Sequence, residues 1–158
     1  MLNMKPGVFT QMYVHIVFAV ANKQALLKQD FRKEVFKYIS GIIRSKKCKS
    51  IIVNGVDDHI HILLGLHHTM SVTEIVRDVK RSSSIFIREQ KFTPFKFSWQ
   101  EGYGAFTYGR SQIENVYKYI ENQEEHHKKK TFKQEYIEFL EKYEIEYNEK
   151  FLFNFHDI

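Results

Sequence analysis

The segment 57–64, with the sequence DDHIHILL, alternates two histidines with aliphatic residues. A short apolar run of this composition predicts a β-strand. Because successive side chains of a strand point to opposite faces, His59 and His61 share one face while Ile60 and Ile62 occupy the other. Two imidazoles side by side on a rigid strand can supply two ligands to one divalent metal ion. A half-exposed strand whose histidines bind nothing is the alternative.

Composition and cysteine content restrict the class of protein. The 158 residues, 43% hydrophobic and 27% charged, are typical of one globular domain with a substantial core. The single Cys48 excludes an internal disulfide and fits a reducing cytoplasm. Residues 1–9 lack the pattern of a targeting segment, and no apolar run approaches a membrane-spanning length. We therefore expect a cytoplasmic protein with no membrane partner. The net charge of +5 permits a nucleic-acid partner.

Hydrophobic periodicity predicts the order strand, helix, strand, strand, helix, strand, followed by further helices. The strands are predicted at about 11–20, 50–55, 59–66 and 97–109, and the first two helices at about 24–47 and from Ser71 onward. This order is typical of an α+β, ferredoxin-like or RRM-like βαββαβ sandwich with an antiparallel sheet. The first and third strands would then be central, and they carry His15 and the histidine pair. Two helices would cover one face and leave the other for a site.

The helix expected after Ser111 has an apolar stripe that predicts its buried side: Ile113, Val116, Tyr117 and Ile120. On a helical wheel, Tyr119 and Gln123 lie off this stripe, one turn apart on the same flank. Burial in the core therefore explains Tyr117 but not Tyr119, whose hydroxyl can face something else. The charged run 124–130 is predicted to be solvated, with His126 and His127 at the surface or at a helix end.

The second helix carries basic residues on one flank: Arg77, Lys80, Arg81 and Arg88. They form either a solvated surface or, beside a site that handles phosphate, a clamp for a nucleic-acid backbone. Aromatic residues in helical register predict a last helix from Thr131 to about Tyr147, which covers either its own domain or a second protomer. We expect one domain over residues 1–158, with a core at about 11–125 and a C-terminal helical extension at about 126–158.

The pair His59-Ile60-His61, followed on a later helix by YIENQ at 119–123, resembles a known family. It resembles the HUH single-tyrosine transposases of small bacterial insertion sequences, the IS200-like group, where HUH denotes His, a hydrophobic residue and His. The segments YVHIVF at 13–18 and GYGAF at 102–106 also resemble that family. The resemblance extends over about residues 11–147, which is most of the chain.

The resemblance implies a DNA transposase that cleaves and rejoins single-stranded DNA. His59, His61 and Gln123 would bind Mg²⁺ or Mn²⁺, with Asp58 and His15 as possible accessory residues. Tyr119 would attack a phosphodiester, form a 5′-phosphotyrosine and release a 3′-OH. A free phenol has a pKa of about 10, so this nucleophile needs activation by its surroundings. The resemblance also implies a homodimer that binds hairpins at the ends of the element, in which the tyrosine helix of one subunit can complete the site of the other.

Three alternatives share part of this evidence. A non-catalytic module of the same fold could bind single-stranded RNA or DNA, and it would not require His59, His61 and Tyr119 to converge. A related HUH nicking enzyme, such as a replication initiator or relaxase, would share the chemistry. An unrelated metal hydrolase usually has further His or Asp ligand motifs and a longer chain. A structure in which the Tyr119 hydroxyl cannot approach the histidine pair, from either subunit, would count against the transposase hypothesis.

Overall fold

The computed structural model describes residues 5–156. Outside the described residues lie 1–4, which are part of the stretch searched for a targeting segment, and 157–158, at the end of the expected domain. The elements follow one another in this order: β1 (Tyr13–Ala19), α1 (Arg32–Ser45), β2 (Lys49–Gly55), β3 (His59–Gly65), α2 (Val72–Glu89), β4 (Gly104–Tyr108), α3 (Ile113–Glu121), α4 (Gln123–His126) and α5 (Phe132–Lys142). Short 3₁₀ turns occupy Arg110–Gln112 and Glu149–Phe151.

The four strands form one antiparallel sheet in the order β2-β3-β1-β4. The prediction of an α+β, ferredoxin-like sheet with the first and third strands at its centre is confirmed. In the register between β1 and β3, Ala19 pairs with His59 and Val17 with His61, and His15 lies two residues further along. Because side chains alternate along a strand, the three histidines project from the same face of the sheet.

Helices α1 and α2 cover the opposite face of the sheet. Phe18, which points away from the histidines, has the Lys80 ammonium of α2 5.1 Å from its ring centroid. Helix α1 is amphipathic, and its buried side includes Val35, Phe36, Ile39 and Ile43, of which Val35, Ile39 and Ile43 follow one another at intervals of one helical turn. Helix α2 begins where the sequence indicates, because the Ser71 hydroxyl accepts a hydrogen bond of 3.1 Å from the backbone N–H of Glu74.

Three predicted boundaries are wrong, each for a local backbone reason. Helix α1 begins at Arg32 and not near residue 24, because the Asn22 side chain accepts the N–H of Gln24 in a turn. Strand β4 is confined to Gly104–Tyr108, since Gly102 breaks the preceding segment with a φ of +87°. Helix α5 ends at Lys142 and not near residue 147, because Glu144 adopts a left-handed φ of +53° two residues after the end of the helix.

The face that carries the histidines is covered by α3 and by the C-terminal segment of the same chain. Helix α5 starts with Thr131 and Gln134 capping each other's backbone N–H groups at 2.9 and 3.2 Å. Its buried side contributes Phe132, Tyr136 and Leu140 to the main hydrophobic core. Among residues 5–156, no helix has the length and apolar character needed to cross a membrane.

Two glycines give opposite predictions for stability. A Cβ at Gly55 would overlap the carbonyl oxygen of His59 and lie 2.9 Å from Cα of Ile60, whereas a Cβ at Gly41 in α1 meets nothing within 4 Å. We expect Gly55→Ala to lower the free energy of unfolding by about 1–3 kcal/mol through overpacking. Gly41→Ala should raise it by about 0.5–1 kcal/mol, because alanine is the better helix former.

Urea unfolding of the two variants and the wild type measures both changes. A Gly55→Ala protein as stable as the wild type would contradict the close approach of β2 to the beginning of β3.

Candidate metal centre and tyrosine site

The two histidines of β3 are completely buried and held in fixed orientations. The Nδ1 atom of His59 lies 2.8 Å from Oδ1 of Asp58, and Nδ1 of His61 lies 2.8 Å from Nε2 of His15. His15 is held in turn by the Tyr108 hydroxyl, 3.2 Å from its Nδ1. Partners of this kind on one imidazole nitrogen fix the ring so that the other nitrogen can bind a metal. Asp58 and His15 therefore orient the histidine pair, and both Nε2 atoms face the same region.

The carboxylate of Glu135, on α5, lies in that region. Its Oε1 atom is 3.2 Å from Nε2 of His59, 3.1 Å from Nε2 of His61 and 3.3 Å from Nε2 of His127. The Glu135 residue is only 3% exposed. One ligand atom from each of these four residues lies within 4.8 Å of the others, so the group could hold a metal ion.

Tyr119 and Gln123 reach the same carboxylate from the helices α3 and α4. The Tyr119 hydroxyl donates a hydrogen bond to Oε2 of Glu135, and Nε2 of Gln123 donates to the same oxygen at 3.3 Å. Oε1 of Gln123 accepts from Nε2 of His127 at 3.1 Å. The four residues predicted to act together, Tyr119, His59, His61 and Gln123, thus converge within a single chain.

Contacts with the sheet position the tyrosine helix. Nδ2 of Asn54 on β2 donates to the carbonyl oxygens of Ile120 and Glu121, at 2.8 and 3.1 Å, and so satisfies the C-terminal end of α3. The prediction that Tyr117 is buried is wrong, because its exposed fraction is 37%. Helix α3 packs over β2, an edge strand, so the side of the helix that carries Tyr117 projects beyond the sheet.

Burial and charge set the protonation states of the cluster. Burial alone would raise the pKa of Glu135, but the neighbouring His61, His127 and His59 hold it well below its usual range. Burial also opposes a charged His59, yet Asp58 and Glu135 raise the pKa of His59 to about 9. Burial lowers the pKa of His61, whose other influences partly cancel. Burial and then the charge of Glu135 raise the pKa of Tyr119, so its phenol stays protonated at neutral pH.

The cluster fits a divalent metal ion. Nε2 of His59 is buried and makes no hydrogen bond among residues 5–156, although Oε1 of Glu135 lies 3.2 Å away, so this nitrogen is available to a metal ion. Imidazole nitrogens, an amide and a carboxylate oxygen form a mixed donor set that suits transition-metal dications such as Mn²⁺. This donor set makes the histidine cluster the candidate metal centre of the chain.

His127 lies at the end of α4, in agreement with the predicted helix end, and its Nε2 atom reaches the cluster, 3.3 Å from Oε1 of Glu135. Gln123 and His127 are four residues apart, so one turn of helix places both beside Glu135. Sequence reasoning missed Glu135. The signal for it was a lone carboxylate on the apolar face of the last helix, three residues after Phe132 and next to Tyr136, where charged residues are rarely buried without partners.

The basic flank of α2 does not converge with the cluster. Nζ of Lys80 donates to the carbonyl oxygens of Gln100 and Gly102, and Nε of Arg88 donates to that of Phe97. Arg77 is paired with Asp78, and Arg81 is exposed. All four lie on the helix that covers the other face of the sheet, so their predicted role in binding DNA stays a prediction.

A buried arginine connects the two halves of the site. Arg32, 7% exposed, donates from Nη1 to Oδ1 of Asp57 at 2.8 Å and from Nη2 to Oε1 of Glu124 at 2.6 Å. Asp57 precedes the residue that holds His59, and Glu124 follows Gln123. One guanidinium therefore fixes the turn before β3 against α4.

The histidine cluster and the adjacent tyrosine thus form a candidate active site on the sheet of a ferredoxin-like fold. The family model described as "Transposase IS200 like" matches residues 8–123. The chain belongs to this family, which confirms the resemblance found in the sequence and supports a transposase function. His127 and Glu135 lie beyond the matched residues.

Individual relatives agree with this assignment. The transposases for insertion sequence element IS200 of Salmonella typhimurium and Salmonella typhi are each 29% identical over 120 residues, covering 72% of this chain and 78% of theirs. A candidate transposase structure from Deinococcus radiodurans R1 has a TM-score of 0.59 at 16% identity, covering 77% of this chain and 98% of its own. A REP-associated tyrosine transposase bound to a REP hairpin has a TM-score of 0.57 at 12% identity, covering 80% and 74%. The two structures share the fold.

Removal of the Arg32 guanidinium should weaken the link that it forms between Asp57, before β3, and Glu124 on α4. We expect Arg32→Ala to lower the free energy of unfolding by about 1–3 kcal/mol, a range that allows for the partial exposure of both carboxylates. Lys33→Ala, which removes the same charge from the exposed neighbouring position, should change it by less than about 0.5 kcal/mol. Urea unfolding measures both values. Equal effects would show that Arg32 contributes only charge.

Proposed function

We propose that the protein is a transposase that cleaves and rejoins single-stranded DNA through a covalent bond to Tyr119. His59, His61 and Gln123 would hold Mg²⁺ or Mn²⁺. The observation that supports this most strongly is the carboxylate of Glu135, which contacts the Tyr119 hydroxyl with one oxygen and faces both histidines with the other. The tyrosine and the candidate metal ligands are therefore neighbours in one chain, which a simple binding module would not require.

The reaction is a transesterification. Oη of Tyr119 forms a bond to phosphorus, the bond from phosphorus to the 3′ oxygen breaks, the phenol loses its proton, and the 3′ oxygen gains one. The products are a 5′-phosphotyrosine and a free 3′-OH, and attack by another 3′-OH reverses the step and rejoins strands without ATP. A divalent ion would stabilise negative charge on the phosphate oxygens and orient the scissile bond.

A cleft beside Tyr119 is the proposed path of the DNA strand. It has a volume of about 550 Å³ and lies between α3 and α5. Three lysines line it, Lys129, Lys130 and Lys142, together with the aromatic rings of Tyr108 and Phe139. Cationic groups follow a phosphate backbone while aromatic rings stack on unpaired bases, and this combination suits a single strand.

The proposal extends to the assembly of the protein on DNA and to its domain organisation. The protein would act as a homodimer on hairpins at the ends of its element, as the family resemblance implies, and one solved relative is bound to a REP hairpin. Each chain would form a single domain, with its core at about 11–125 and a helical extension at about 126–158.

The nucleophile can be tested by capture of the covalent intermediate. The full chain is incubated with labelled single-stranded DNA carrying the ends of its own element and with Mn²⁺ or Mg²⁺. We expect a protein–DNA adduct that survives denaturation, requires the metal, and is absent in Tyr119→Phe because the attacking oxygen is missing. Tyr117→Phe, on the same helix but away from the cluster, should form the adduct as the wild type does.

An adduct that persists in Tyr119→Phe would exclude this tyrosine as the nucleophile. Tight binding of the same DNA without any adduct in the wild type would favour the non-catalytic binding module.

The path of the strand can be tested by the salt dependence of binding. We expect the double variant Lys129→Ala/Lys142→Ala to bind a single-stranded oligonucleotide about 10-fold more weakly, and the slope of log K against log salt to fall by roughly 1.4 for two lost phosphate contacts. Lys33→Ala/Lys37→Ala removes equal charge from exposed positions on α1, across the sheet, and should have a smaller effect. Fluorescence anisotropy at several salt concentrations measures both quantities.

If Arg77→Ala/Arg81→Ala weakens binding and the cleft variant does not, the DNA lies on α2 and not in the cleft.

A further inference from the structure

The three proposed ligands leave the metal centre without negative charge. The side chains of His59 and His61 are neutral when they bind a metal, and that of Gln123 is neutral at all times. A dication buried among neutral ligands retains most of its desolvation cost, and Mg²⁺ and Mn²⁺ prefer carboxylate oxygens. Within the described cluster only Glu135 offers a carboxylate, and it is buried at the centre.

We propose, on the basis of the function proposed above, that Glu135 is a direct ligand of the metal ion together with His59 and His61. Helix α5 then completes the metal site of its own chain. Oε1 of Glu135 would bind the ion, while Oε2 keeps its hydrogen bonds with the Tyr119 hydroxyl and the Gln123 amide. One carboxylate would thereby fix the distance between the metal and the attacking oxygen.

The distances in the cluster fit this role. Oε1 of Glu135 lies 3.1–3.3 Å from the Nε2 atoms of His59, His61 and His127. Neighbouring ligand atoms around a metal with bonds of about 2.0–2.2 Å are separated by about 2.8–3.1 Å in octahedral geometry and about 3.3–3.6 Å in tetrahedral geometry. The carboxylate oxygen therefore already stands from the three nitrogens at the separation of ligands that share one ion.

The packing of α5 favours a Glu135 carboxylate that binds the metal ion over one that must leave the site before the ion can bind. The ring of Phe132 is stacked on that of His59, with centroids 3.7 Å apart and planes 3° apart. Phe132, Tyr136 and Leu140 anchor the helix in the core on the same side as Glu135. Movement of the whole helix away from the cluster would require these three side chains to leave the core, whereas ion binding at the present position of the carboxylate would not.

The test is a titration of the full chain with Mn²⁺ in the absence of DNA, in which calorimetry and electron paramagnetic resonance measure the binding. Glu135→Gln keeps the shape of the side chain and removes its charge, so we expect at least about 10-fold weaker binding. Glu138→Gln removes the same charge three residues further along α5, at an exposed position, and should bind within about twofold of the wild type. Circular dichroism verifies that each variant is folded.

The direction in which Glu135→Gln changes the affinity for Mn²⁺ shows whether Glu135 is a metal ligand or a group that blocks the site. If Glu135 only blocks the site, Glu135→Gln binds Mn²⁺ as tightly as the wild type or more tightly, and the inference is overturned. Glu135→Asp provides a second test if the glutamine variant fails to fold. This variant keeps the charge but retracts the oxygen by one methylene, so weaker binding supports the inference and unchanged binding overturns it.

The adduct assay separates this inference from the proposed function. Binding that depends on Glu135 in a protein that forms no Tyr119 adduct would leave the metal ligand established and the transposase chemistry refuted. If the Tyr119 adduct forms and Glu135→Gln leaves the affinity for Mn²⁺ unchanged, the transposase chemistry is supported and the inference that Glu135 is a metal ligand is overturned.

Discussion

A single buried carboxylate holds the functional face of this protein together. Glu135 cannot lie in the core as an ion without compensating partners. It finds them in the imidazoles of β3, in His127 and in the Tyr119 hydroxyl. These partners come from the central strand and from the helical segments that follow the sheet, so the interaction that neutralises Glu135 also assembles the site. Aromatic packing of α5 on the sheet supplies the remaining constraint.

The rest of the structure fixes the partners of that carboxylate. The pairing of β1 with β3 brings His15 to His61, and the turn before β3 brings Asp58 to His59. Each contact occupies one ring nitrogen and leaves the other facing the cluster. Arg32 and Asn54 perform the corresponding task for the helices, since they tie α4 and the end of α3 to the same part of the sheet. Side-chain contacts within the protein itself thus hold the site together.

Local patterns in the sequence predicted the parts of the site that depend on local geometry. The shared face of His59 and His61 follows from strand alternation, and the position of Tyr119 off the apolar stripe follows from the helical repeat. The contributions of His127 and Glu135 could not be predicted in this way, because they depend on how α4 and α5 fold back over the sheet. The errors at α1, β4 and α5 arise from local features that hydrophobic periodicity does not register, namely the hydrogen bond of the Asn22 side chain and the positive φ of Gly102 and Glu144.

The most direct measurement is a crystal structure of the protein soaked with Mn²⁺, with anomalous data collected at the manganese absorption edge. The cluster predicts one strong peak within about 2.0–2.3 Å of Nε2 of His59, Nε2 of His61 and a carboxylate oxygen of Glu135, with the Tyr119 hydroxyl beside it. A fully soaked crystal with no peak at the histidines, or with its only peak elsewhere, would contradict a metal centre at this site.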